Sequence, residues 1–171
     1  MATTSTSSRP AVGVLFIIAG ALALLTLLFA YVAPGSLPSW LPPFTSLALG
    51  VGLLLMGLSR SMNLLERVAF IVGAVGWLLL GINGLVGGLG ALVTVALILA
   101  LVGSLAAGIL VWTHSTFTRS TNLWFLIAMI VAAVFLLNQL LPFAAGVIAT
   151  LLVLLFGASL VIAGFFILRR K

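Results

Sequence analysis

Acidic residues are almost absent. Among 171 residues there is one Asp or Glu, against seven Lys or Arg and one His, and there is no cysteine. The missing cysteines exclude a disulfide framework, a thiolate metal site and a Cys nucleophile. A single His excludes a two-His haem, and a lone carboxylate excludes the paired acids of a glycosidase-type centre. The one Lys, Lys171, stands outside every apolar stretch, so no Schiff base to retinal is expected. Charged residues make up 5% of the chain, where a soluble domain carries about a quarter. With 64% hydrophobic residues, too little charge remains to cover a soluble globule of this size. The chain is read as an integral membrane protein.

What is present is long neutral text. Charges cut it into three blocks, 11–59, 68–113 and 120–168, each of about fifty residues. As one straight helix such a block would run roughly 70 Å, more than twice the ~30 Å hydrocarbon core, so each must fold back on itself. Helix breakers stand near the middle of each block: Pro34, Gly35, Pro38, Pro42 and Pro43 in the first, Gly84 to Gly90 in the second, Pro142 and Gly146 in the third. The expected spans are 11–32, 43–59, 68–85, 91–112, 123–141 and 143–168. Period-2 alternation is absent and hydrocarbon leaves no backbone group unpaired, so the spans are helices rather than barrel strands.

The predicted fold is therefore an all-α integral membrane protein with six transmembrane helices arranged as three repeated parallel hairpins, 11–59, 68–112 and 123–168. With six spans, Arg9, Arg60, Arg67, Arg119, Arg169, Arg170 and Lys171 all fall on one side and the three opposite loops carry no charge. Cations near span ends are retained in the cytoplasm, which predicts both termini inside. Trp112 and Trp124 flank one cytoplasmic loop while Tyr31 and Trp40 lie at the other face, the positions amphipathic rings prefer. Residues 1–33 are read as tail and first span rather than as a signal peptide. Their apolar run is too long, and Tyr31-Val32-Ala33 is a poor small-x-small cleavage site. Residues 1–10 are expected to form a disordered cytoplasmic tail and 169–171 a basic one that rests among anionic headgroups.

The blocks also resemble one another. An offset of 55 residues matches Phe70 with Phe125, Gly73 with Ala128 and Asn83 with Asn138; one insertion later Thr94 meets Thr150 and Gly108 meets Gly164. An offset of 51 places Gly52 on Gly103 and Gly57 on Gly108. Hairpins that all start and end in the cytoplasm are parallel repeats, related by an axis along the membrane normal, and a pseudo-threefold packing is their natural arrangement. Gly52, Gly57, Gly103, Gly108, Ser159 and Gly164 supply small residues to the second helix of each hairpin. They are expected to allow close helix packing within the chain, with an oligomer seam as the competing role.

The runs from Leu15 to Leu25 (LFIIAGALALL), Ile71 to Gly81 (IVGAVGWLLLG) and Leu155 to Gly164 (LFGASLVIAG) give the chain a rhythm that resembles the HdeD family of six-helix bacterial acid-resistance membrane proteins. The similarity lies in hairpin rhythm and small-residue placement over nearly the whole chain. It implies a bacterial inner-membrane location and a role in envelope stress, and it brings no catalytic residue.

Few side chains could carry chemistry. Asn63-Leu64-Leu65-Glu66 has the spacing of a capping box at the start of the third helix, with Asn63 as N-cap and Glu66 near the favourable end of the helix dipole. His114 ends the fourth helix, where a boundary role is the default and a cytoplasmic pH sensor, with Arg119 as electrostatic neighbour, is the sharper alternative. Asn83 and Asn138 either terminate helices and bond between them, or face a common polar vestibule. Trp77, near mid-span, needs a partner for its N–H. The basic residues lack interleaved stacking aromatics, and orientation already explains them, so no nucleic acid is expected as partner. No cofactor or metal is expected. Two functions follow as expectations: a non-catalytic protein acting through helix association with itself or other membrane proteins in the bilayer, or a small channel or permease for a neutral solute. Charged substrates are disfavoured because no intramembrane charge offsets their desolvation.

Overall fold

A computed structural model describes residues 8–33, 35–59, 62–114, 117–143 and 145–169. These form six helices: α1 (Ser8–Val32), α2 (Leu41–Gly57), α3 (Leu64–Val86), α4 (Leu92–His114), α5 (Arg119–Leu140) and α6 (Val147–Leu168). Most of the expected tail, together with Arg60, Arg170 and Lys171, lies outside the described residues, as does the side chain of Arg9. Within the expected tail α1 already begins at Ser8, because Pro10 falls in the first turn, where its missing N–H would have had no helical partner.

The breakers act as their chemistry dictates. Pro42 and Pro43 open α2, positions where a fixed φ and an absent donor suit a helix start. Gly87, at φ 72°, ends α3 in a conformation costly for any residue with a Cβ. Asn63 caps α3 as its spacing predicts: its side-chain oxygen accepts from the Glu66 N–H at 2.9 Å, and the Glu66 carboxylate accepts from the Asn63 N–H at 3.1 Å. Residues 142–146 stay outside α6, which starts at Val147 rather than Phe143, after Gly146 at φ 56°. Five helices are long and apolar enough to cross a bilayer; α2, at 17 residues, spans about 25 Å.

Each helix packs on the one before and the one after it, and α6 closes on α1, so the six make a ring. Only 33–39% of the residues in each long span are buried, which fits a ring member that shows its outer face to the surroundings. Those outer faces carry Ile18, Leu28, Ile98, Val102, Ile109, Leu151 and Leu155, all exposed and apolar. A surface of this kind is stable in hydrocarbon and not in water.

The interior combines small residues, aliphatic side chains such as Leu49, Leu53 and Leu160, and a few aromatic rings. Phe16, Phe70 and Phe125, one from each odd-numbered helix, meet fully buried on the axis, with centroids 5.8 Å apart for Phe16–Phe125 and 5.6 Å for Phe70–Phe125. Seven residues further along each helix stand Ala23, Trp77 and Ala132, all buried. The indole thus takes the position that Ala23 and Ala132 hold on the other two helices. Phe156 stacks on Trp77 at 5.8 Å, and Phe135 stacks on Phe156 at 5.4 Å. Two aromatic layers thus fill the axis.

Candidate functional site

Polar side chains gather mainly at the two ends of the ring. The terminal end, where α1 starts and α6 stops, holds the most connected group. Glu66 is 3% exposed, and beyond closing the cap of α3 its Oε1 lies 3.2 Å from His114 Nδ1, the last residue of α4. Asn63 Nδ2 lies 3.1 Å from the same Nδ1. The orientation of the Asn63 amide is fixed, since its Oδ1 is held by the Glu66 N–H. The imidazole therefore faces a choice. With a proton on Nδ1 it donates to the carboxylate; without one it accepts from the amide. The proton on one ring nitrogen decides whether α4 is tied to the acid or to the cap of α3. His114 is 42% exposed and reached by solvent. The neighbour it takes is Glu66, and Arg119 lines a separate recess with Trp112, Thr113 and Asn122.

The loop into α5 is organised by a different residue type. Asn122, almost fully buried, accepts from the Phe117 N–H at 3.0 Å and donates to the Phe117 carbonyl at 3.3 Å. The hydroxyls of Thr118 and Thr121 bond at 2.8 Å. Sequence reasoning passed over Asn122. Its signal was an amide 55 positions after Arg67, in the same place relative to Phe125 as Arg67 is to Phe70. The Arg67 Nε is buried without a hydrogen-bond partner. Arg169 lies over the Phe165 ring, 4.9 Å from its centroid.

At the opposite end Asn83 and Asn138 do corresponding work on α3 and α5. Asn83 Oδ1 accepts from the Leu89 N–H at 3.2 Å, and Asn138 Oδ1 accepts from the Phe143 N–H at 3.1 Å. Each carbonyl binds the backbone of the turn that follows its helix. Among the described residues no hydrogen bond joins the two, and each serves its own turn. A hydrogen bond between the hydroxyls of Tyr31 and Thr150 ties α1 to α6 at this end.

Each of the small residues singled out in the sequence backs onto a neighbouring helix or lies in the interior. A Cβ on Gly52 would meet the Phe16 ring, on Gly57 the Phe70 side chain, on Gly108 the Met129 side chain, and on Gly103 and Gly164 the backbones of Gly73 and Gly13. Ser159 is buried and donates to the Phe156 carbonyl at 2.9 Å. Gly13, Gly20, Gly73, Gly76 and Gly157 form the other halves of these seams. The seven-residue spacing of Gly13 and Gly20, repeated in Gly157 and Gly164, was the sequence signal for them. Trp77 donates its indole N–H to Ser104 Oγ at 3.0 Å; both are buried, and the hydroxyl sits mid-span on α4.

Six apolar helices with a small-residue interior and an apolar exterior define a multi-pass helical membrane protein. Comparison with family models, curated proteins and solved structures returns no match for this chain.

Proposed function

We propose that this chain is a non-catalytic membrane bundle that acts through helix association, with partners or with copies of itself, and that both its termini are cytoplasmic. The observation that carries the reading is the filled axis. With Phe16, Phe70 and Phe125 at one level and Trp77, Phe156 and Phe135 at another, aromatic rings occupy the interior at two levels, and the outer faces are what the molecule presents to others. Three parallel hairpins about a pseudo-threefold axis are supported by the recurrence of one axial Phe per odd-numbered helix and by the ring order. Both termini inside is supported by Arg67, Arg119 and Arg169, which share the terminal end. The resemblance of the hairpin rhythm to the HdeD family supports envelope or acid stress as the physiological setting, in a bacterial inner membrane.

Reconstituted protein is expected to leave the permeability of liposomes to glycerol and urea equal to that of empty vesicles. Flux above that level, removed by Asn83→Leu with Asn138→Leu, would establish the channel reading instead. In cells, crosslinking from the outer faces is expected to trap a stoichiometric partner or a second copy. A monomer without partners at native expression overturns the association role. Reporter fusions after 59 and after 118 are expected to report the same, cytoplasmic side.

A further inference from the structure

Beyond the Trp77–Phe156–Phe135 stack, towards the opposite end, the axis opens again. A recess of about 120 Å³ lies there, floored by the three rings and walled by α1, α2 and α6. Its lining contains no charged side chain, which selects a neutral occupant. Its size is close to that of an engineered apolar cavity of about 150 Å³ that takes up a single benzene. Aromatic walls favour an aromatic guest through offset or edge-to-face ring contact.

Three hydroxyls add a polar preference. Thr26 Oγ1 donates to the Leu22 carbonyl at 2.9 Å, Thr45 Oγ1 to the Leu41 carbonyl at 3.2 Å and Ser46 Oγ to the Pro42 carbonyl at 3.4 Å. Each is the i to i−4 bond by which a hydroxyl satisfies itself on its own helix. A hydroxyl whose proton is already given has only lone pairs left to offer. The lining is mostly apolar, and what these hydroxyls can add to it is acceptor only, which favours a guest that brings an O–H or N–H donor. We propose that this recess is a binding site for a small neutral aromatic alcohol of phenol size, its ring against the Trp77 stack and its hydroxyl donating to Thr45 or Ser46. The site depends on neither the orientation of the chain in the membrane nor its partners.

The test uses the full chain in lipid nanodiscs, with 4-fluorophenol and fluorobenzene as probes followed by fluorine NMR against empty nanodiscs. Saturable binding of 4-fluorophenol is expected, about fivefold tighter than that of fluorobenzene, the size of one ordinary hydrogen bond. Thr45→Val with Ser46→Ala should bring 4-fluorophenol down to the fluorobenzene level and leave fluorobenzene unmoved. Ala23→Leu should remove the binding of both by filling the space. Val153→Phe fills it from the other wall and keeps the test decisive if the first variant does not fold. Uptake that never saturates, equal affinity for the two probes, or binding indifferent to a folded filling variant each overturns the proposal. A lipid acyl chain as occupant would show itself as equal, weak displacement by both probes.

Discussion

The seams of this ring are of two kinds. Where α1 meets α6 and α3 meets α4, backbone lies on backbone. A Cβ on Gly20 would stand 2.5 Å from the Gly157 carbonyl oxygen, and one on Gly13 2.9 Å from that of Gly164. On Gly103 or Gly76 it would overlap the backbone nitrogen of Gly73 or Ala100. Helix α5 has no glycine at all, and it meets its neighbours through side chains: Met129 fills the space over Gly108, and Phe135 stacks on Phe156. Lipid tails are as apolar as any core, so neither seam is held by escape from water. The glycine seams rely on closeness and tolerate no added atom; the α5 seams rely on volume and tolerate any side chain that restores it.

Substitutions should separate the two. The largest effect is expected for Gly103→Ala, which must push α4 off α3 along the whole contact. About 3 kcal/mol or more of stability should be lost, read as unfolding in bicelles, and Gly20→Ala should behave alike at the other closure. Phe156→Ala comes next: it removes the middle ring of the stack and should cost about 2 kcal/mol, below the 3–5 kcal/mol typical in water because no transfer term operates in lipid. Met129→Leu keeps the volume and should cost less than about 1.5 kcal/mol by the same assay, and a loss as large as that of Gly103→Ala would erase the distinction drawn here. The smallest effect belongs to Ile109→Ala, which faces outward at half exposure and should stay within about 0.5 kcal/mol.

Much of the architecture could be read from local chemistry. Proline and glycine clusters mark the breaks after α1, α3 and α5, and charged residues mark those after α2 and α4. The Asn63–Glu66 cap was readable for the same reason, since a capping box is complete within four residues. What could not be read depends on distant pairings. His114 and Glu66 are 48 positions apart, and nothing near either residue points to the other. Trp77 advertised its need for an acceptor, but the choice of Ser104 follows from the rotation of α4 against α3. Interior and exterior are both apolar, so hydrophobic periodicity, which orients helices in soluble proteins, has little contrast to report. Residue size carries part of that information, with Ala19, Ala100, Ala128 and Ala163 turned inward beside buried leucines such as Leu49, Leu53 and Leu160. Helix α5 starts at Arg119, a turn before the expected span, so it runs through the charged boundary residue.

The contact between α1 and α6 has a consequence for biogenesis. Helix α6 follows α1 in the chain by more than a hundred residues, so Gly13 and Gly20 await a mate that is made well after them. Until that mate arrives the barrel of rods stays an open arc, its aromatic centre in reach of lipid.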